Sequence, residues 1–343
     1  MTIGFDAAWD GERFRGHTVF AIEQGMLRPV DEERADRELG GALIPHLTDH
    51  HTHLGLTDPA ELFANGITDA VDLGWIPEVA SGWLIDAPGH PAVQIAGALL
   101  TAPGGYPINA GWAPPGSSAE VGSADEGEEA VRGQLIRGAS RIKVTLNTDA
   151  GPTVDNLTLS AIVEAAHSAG VPVTVHVQGT GQTARAIDAG IDQLAHTPFS
   201  ERVDDGTILR AVAAGMTWVS TLDIHGWGRP SPEFAVAVDN LRRFARAGGR
   251  VLYGTDLGNG PLANGVNARE LTGIAAAGLG GDALVRTIAG DAPLGDVGPR
   301  FAWIPTPPPA PEDDPTGDPA ASGLPAWLAT ARGLTTTIPG GLA

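Results

Sequence analysis

The chain contains no cysteine, which excludes disulfides and thiolate metal sites outright. It is almost as poor in lysine: of 21 lysines and arginines, Lys143 is the only lysine. A formal net charge of −20 argues against nucleic acid and anionic membranes as partners, because both attract basic surfaces. No stretch approaches the roughly eighteen consecutive apolar residues of a spanning helix, and no basic segment followed by an apolar run opens the chain. These absences lead to the expectation of a soluble, cytoplasmic protein.

The lone lysine is informative because of where it stands. Arg141-Ile142-Lys143-Val144-Thr145-Leu146-Asn147 alternates apolar and polar residues, as a strand with one face in a core does. Arginine keeps its proton under ordinary conditions, whereas a buried lysine can lose it and react as an amine. A neutral amine captures carbon dioxide as a carbamate, which offers metals two oxygens. An ordinary surface cation could have been arginine here, as it is elsewhere in the chain.

The length suits one large domain, since α/β barrels run past two hundred residues as single units. From Leu43 onward, strand-like and helix-like stretches alternate with glycines between them. Val171 to Gln178 has valines on one face and Thr174, His176 and Gln178 on the other. Strands are also expected at 47–54, 66–73, 93–101, 191–197, 216–223 and 250–256, eight in all with the lysine strand. Amphipathic helices over 158–169, 181–189 and 205–214 end on Gly170, Gly190 and Gly215, and another starts at Ser231-Pro232, an N-cap followed by proline. Repeated strand–helix units predict a (β/α)8 TIM-like barrel over residues 46–299. Residues 1–45 and 300–343 are expected to form a small β-rich flank, with a first helix at 31–38, a proline-rich linker at 305–325 and a closing strand from Leu334 to Ile338.

Asp49-His50-His51-Thr52-His53 is the first chemical candidate. On a strand His51 and His53 share a face, so both imidazoles can reach one divalent ion, while His50 points the other way. Lys143, His176, His196 and Asp256 each fall at the carboxyl end of another expected strand, and in a barrel those ends meet at one mouth. One such histidine alone would be read as a hydrogen-bonded core residue. Four histidines, a carboxylate and the lysine together can hold two metals. With no soft ligand, zinc comes first, with manganese, iron and nickel as alternatives.

Leu43-Ile44-Pro45-His46-Leu47-Thr48-Asp49-His50-His51-Thr52-His53 resembles the first-strand signature of the amidohydrolase superfamily. Arg141 to Val144, Glu164 to His176, Ala189 to His196 and Gly254-Thr255-Asp256 resemble its later blocks, particularly in the imidazolonepropionase-like and prolidase-like branch. The resemblance spans residues 41–290. It implies two metals, with His51, His53 and Asp256 on one, His176 and His196 on the other, and carboxylated Lys143 bridging them. It also implies attack by a hydroxide shared between the metals, with Asp256 carrying the proton to the leaving group. Three departures stand out: His46 replaces the usual glycine, Gly104-Gly105-Tyr106-Pro107 lacks the branch's glycine-histidine pair, and only Phe301-Ala302-Trp303-Ile304 remains of the closing strand.

Substrate selection in such a barrel belongs to the loops. Loop three offers Tyr106, Asn109 and Trp112, and loop eight offers Asn259, Asn264 and Asn267. Loop seven offers His225, Trp227 and Arg229, whose guanidinium could grip a carboxylate in bidentate fashion. The expected function is metal-dependent hydrolysis of an amide-type C–N bond in a dipeptide, an N-acyl amino acid or a cyclic amide. The alternatives are a lactone, ester or phosphotriester hydrolase on the same site, a mononuclear deaminase, and a non-catalytic barrel that binds a partner. The expected partner is a small-molecule substrate, and a homo-oligomer is compatible with the reading.

Overall fold

The computed structural model describes residues 1–310 and 322–336. Eight parallel strands form the barrel, numbered here β1 (Thr48–Thr52), β2 (Asp69–Asp72), β3 (Ala92–Ile95, continued as Leu99–Thr101), β4 (Ile142–Asn147), β5 (Val173–Gln178), β6 (Gln193–Leu194), β7 (Thr217–Val219) and β8 (Arg250–Leu252). The ring closes between β8 and β1, where His50 N–H donates to Tyr253 O and His53 N–H to Leu257 O. Alternation in β4 and β5 follows the sequence: Ile142, Val144, Leu146, Val173, Val175 and Val177 belong to the apolar core, while Thr145 and Thr174 make polar contacts with the neighbouring loop three and strand β6.

Two local features depart from uniform βα units. β3 is broken at Gly97 (φ +73°), where the Gln134 side-chain oxygen occupies the place of a Cβ and accepts the Ala98 N–H at 3.1 Å. A short extra strand, Ser118–Glu120, lies beside the second half of β3. The helices behave as read: Ser231 Oγ accepts the Phe234 N–H at 3.0 Å with Pro232 opening the helix Pro232–Arg246. Inside that shell Phe244 stacks on Trp218 of β7 with planes 4° apart.

The flank combines both ends of the chain. One sheet orders Met26–Val30, Thr18–Glu23, Thr2–Phe5 and Arg37–Glu38; the other orders Arg332–Thr335, Arg300–Ile304, Ala42–Ile44, Ala7–Trp9 and Phe14–Arg15. Phe5, with Phe20 at 5.8 Å and Phe301 at 6.2 Å, centres a separate small core. The helix expected at 31–38 does not form: Arg37–Glu38 is instead a strand pairing with Ile3 and Gly4, so sheet pairing wins over local propensity. Residues 311–321 of the expected linker and Thr337 and Ile338 of the closing strand lie outside the described residues. Among the described residues, no helix is long and apolar enough to cross a membrane.

Candidate metal centre

His51 lies in β1 and His53 directly follows it, His176 lies in β5, and His196 and Asp256 follow β6 and β8. Together with Lys143 they line one cavity at the barrel mouth. All six are buried. Lys143 differs from expectation in depth. It is the second residue of β4, paired with Thr174, and so lies two residues below His176. Two residues of strand span about 6–7 Å, a drop that its four-carbon stem bridges to bring the amine to the same cavity.

The histidines are held from outside. Nδ1 of His51 contacts Ala195 O at 2.8 Å, Nδ1 of His53 contacts Gly74 O at 3.0 Å, and Nδ1 of His196 contacts Thr221 Oγ1 at 2.9 Å. A carbonyl acceptor requires the N–H on Nδ1, which leaves Nε2 with a lone pair for a ligand. His176 Nε2 lies 3.4 Å from the Asn147 amide nitrogen, which also donates to Gln178 Oε1 at 3.0 Å. On the inner side Asp256 Oδ1 stands 3.0 Å from His51 Nε2 and 3.2 Å from His53 Nε2. Two ligands about 2.0–2.1 Å from one tetrahedral ion lie roughly 3.3 Å apart, so these spacings suit a shared zinc-sized ion. Donor atoms of His51, His196 and Asp256 all fall within 4.8 Å of one another.

The electrostatics fit the same use at His51, His176 and His196, whereas at His53 burial is outweighed by the Asp256 carboxylate, which holds the imidazole above its usual range. Burial pushes His51 down to about 4, His176 to about 3 and His196 well below the usual range, so these rings are neutral and able to ligate at pH 7. Burial opposes ionisation of Asp256, yet the adjoining histidines hold it well below the carboxylate range. Burial brings the Lys143 amine down to about 7 against the pull of Asp256 and Asp72, and its Nζ has no hydrogen-bond partner. A buried, orphaned amine is costly unless something else completes it. A carbamate bound to metal would complete it, so the residues present fit a metal site.

Several supporting residues were not apparent as such in the sequence. Asp49 accepts N–H bonds from His51 at 3.0 Å and Thr255 at 3.1 Å, tying β1 to the segment that carries Asp256. Asp256 itself adopts φ +56°, an uncommon conformation that persists when its surroundings enforce it. Asn259 Nδ2 donates to its Oδ2 at 2.8 Å. Asp72 accepts the N–H groups of Leu54 and Gly74, and so orders the turn whose carbonyl holds His53. Their signal was only a polar residue near a ligand, which spacing cannot separate from an ordinary cap.

The proposed substrate residues are distributed unevenly. Tyr106 lines the cavity, its ring stacked on His176 at 5.1 Å. His225 packs on Phe199 at 4.3 Å, outside the cavity wall, with a buried Nε2 that has no partner. Arg229 is exposed and does not line the cavity.

The comparisons with known proteins agree with this geometry. Residues 42–277 match the family model described as "Amidohydrolase family". Among solved structures, a Xaa-Pro dipeptidase with bound methionine superposes with a TM-score of 0.73 at 16% identity, covering 99% of this chain and 98% of that one. An A. niger ochratoxinase gives 0.72 at 19% identity, covering 96% and 93%. A prolidase complexed with N-methylphosphonate-L-proline gives 0.72 at 18% identity, covering 98% and 99%. No curated protein sequence matches. The match over residues 42–277, on a barrel whose mouth gathers these histidines and Asp256, places the chain in the amidohydrolase family, hydrolases of C–N bonds.

Proposed function

We propose that this chain hydrolyses an amide C–N bond in a small molecule (a dipeptide, an N-acyl amino acid or a cyclic amide) with two divalent metal ions. His51, His53 and Asp256 would hold one ion, His176 and His196 the other, and Lys143 as its carbamate would link them. Zinc heads the candidates on the donor set, followed by manganese, iron and nickel. Carbamate formation is balanced: the neutral amine adds carbon dioxide to give N–COO⁻ and releases one proton. When bound, the metals supply a Lewis acid for the carbonyl and a water of lowered pKa.

The chain's own residues supply the rest. The imidazoles of His51, His53 and His196, pinned through their outer nitrogens, present fixed lone pairs. Asp256, with Oδ2 oriented by Asn259, is placed to accept the proton of the attacking water and pass it to the leaving nitrogen. The observation that carries the reading is the unpartnered amine of Lys143 in the same cavity as the four histidines. The names of the Xaa-Pro dipeptidase and prolidase neighbours support a dipeptide among the candidates.

A mass-spectrometric turnover screen of the metal-loaded protein beside Lys143→Arg tests this. An acid and an amine that together weigh one water more than the substrate (a single ring-opened product in the case of a cyclic amide), absent with the variant, are expected. Full activity in Lys143→Arg would sink the carbamate model, and exchange of an amino group for oxygen would move the assignment to a deaminase.

A further inference from the structure

Loop three covers the metal-site residues with two aromatic rings. Tyr106 stacks on His176 at 5.1 Å with planes 26° apart, and the Trp112 ring lies 4.9 Å from His53. The Trp112 indole N–H donates to the Tyr106 hydroxyl oxygen at 3.2 Å. Beneath them the cavity measures about 40 Å³, room for a few waters at most. That space is small, and a ring-bearing amide gains room in it when one of the two rings moves aside.

The rings are not equally free to move. Thr145 Oγ1 on β4 donates to the Tyr106 carbonyl at 2.7 Å, fixing that residue to the barrel. Beyond it the loop bonds to itself: Ile108 N–H to Gly105 O, Ala110 N–H to Pro107 O and Ser117 N–H to Pro114 O. Residues 108–111 are exposed, and Gly111, at φ +81°, has nothing within 4 Å of its Cβ position. Trp112 can therefore leave His53 without breaking a strand ladder, whereas the Tyr106 backbone is tied to β4 beside His176.

The remaining wall has a definite chemistry. Apart from the six metal-site residues and the two rings, it consists of Leu56, Leu99, Gly258 and Asn259. One N–H of the Asn259 amide is given to Asp256, and no lysine or arginine other than Lys143 reaches the wall. A substrate carboxylate beside the scissile bond would lose its water and find no arginine or second lysine to pair with there. At the rim, Leu56 and Trp227 are each 43% exposed, and the Trp227 ring lies where a Cβ on Gly260 would be.

We propose that the substrate is an amide whose group next to the scissile bond is neutral and apolar, preferably aromatic, and that Trp112 selects it. The substrate displaces Trp112 from His53 and packs against that ring, Leu56 and Leu99, while Tyr106 stays as a fixed wall. This inference rests on the amide-hydrolase reading and, within it, sets aside free dipeptides and N-acyl amino acids, whose carboxylate adjoins the scissile bond, in favour of neutral amides.

Three compounds separate the contributions: N-ethylbenzamide, N-benzoylglycine, which adds a carboxylate, and N-ethylacetamide, which lacks the ring. With metal-loaded protein, kcat/KM for N-ethylbenzamide should exceed both others by about tenfold or more, the scale on which apolar pockets discriminate. Trp112→Ala should raise KM for N-ethylbenzamide by a similar factor, change kcat less and leave metal content unaltered; Trp112→Phe should recover most of the loss. Equal or better turnover of N-benzoylglycine, or an unchanged KM in Trp112→Ala, would overturn the inference while leaving the amide-hydrolase reading intact. If none is hydrolysed, that reading loses support, and calorimetric titration of the same compounds still decides the wall. N-ethylbenzamide must then bind about tenfold tighter than N-benzoylglycine, and the advantage must disappear in Trp112→Ala, or the inference falls as well.

Discussion

The metal cluster and the loops above it touch, yet they are held in opposite ways. His51, His53 and His196 each have an outer nitrogen engaged by a carbonyl or hydroxyl of a neighbouring strand or loop end. Trp112, 4.9 Å from His53, is tied only to another loop residue, and Arg229 is exposed on loop seven. A metal centre needs fixed donors, because ligand geometry tolerates only a few tenths of an ångström. A substrate wall needs room to move, because a ring-bearing amide gains space in so small a cavity when a ring moves aside. Strands meet the first demand and loops the second.

The sharpest way to break this contrast is to remove a donor from the rigid side. Lys143→Arg keeps a cation but removes the proposed carbamate, and activity should fall at least about a hundredfold, beyond the usual effect of an outer-shell change. Loss of metal by elemental analysis would accompany it.

Next comes the outer support. Thr221→Ala removes the hydroxyl beside His196 Nδ1 and should weaken metal affinity about 10–100-fold, with Thr221→Ser restoring it. Competition with a chromogenic chelator reads this directly. An unchanged affinity would mean that burial alone orients the ring.

A third test concerns how the end of β7 is held. Glu270 is fully buried, accepts the N–H groups of Leu222 and Asp223 at 2.9 and 2.7 Å, and is pushed up by burial to about 7. A carboxyl raised in the folded state binds its proton more tightly there than when unfolded. Its effect therefore makes stability fall as pH rises from about 4.5 to about 7, and level off above. Glu270→Gln should flatten the thermal midpoint across that window relative to the parent. Parallel pH profiles would assign the titration elsewhere.

The smallest effect belongs to the rim. Trp227→Ala removes a ring 43% exposed and should raise KM for an aromatic amide only a few-fold, the modest scale of an apolar contact, with metal affinity unchanged. A larger loss than that of Trp112→Ala would shift the specificity wall from loop three to loop seven.

Much of this was legible before any coordinates. Period-two alternation placed β4 and β5, and glycines closed the helices at Gly170, Gly190 and Gly215, all at positive φ. What could not be read had non-local causes. The break in β3 depends on Gln134 reaching from a helix into the strand, 36 residues away from Ala98. Arg37–Glu38 became a strand because Thr2–Phe5 offered an edge. Thr221 and Asn147 had no spacing to mark them, since each supports a histidine from a different strand or its end.

By itself, then, the sequence determined the barrel and singled out the residues proposed as its donors, because strand and helix periods are local and ligand types are chemically restrictive. Only the tertiary structure decided the depth of Lys143, the tautomers of the histidines, and which aromatic rings close the cavity. Those depend on distances between segments far apart in the chain, and packing alone sets them.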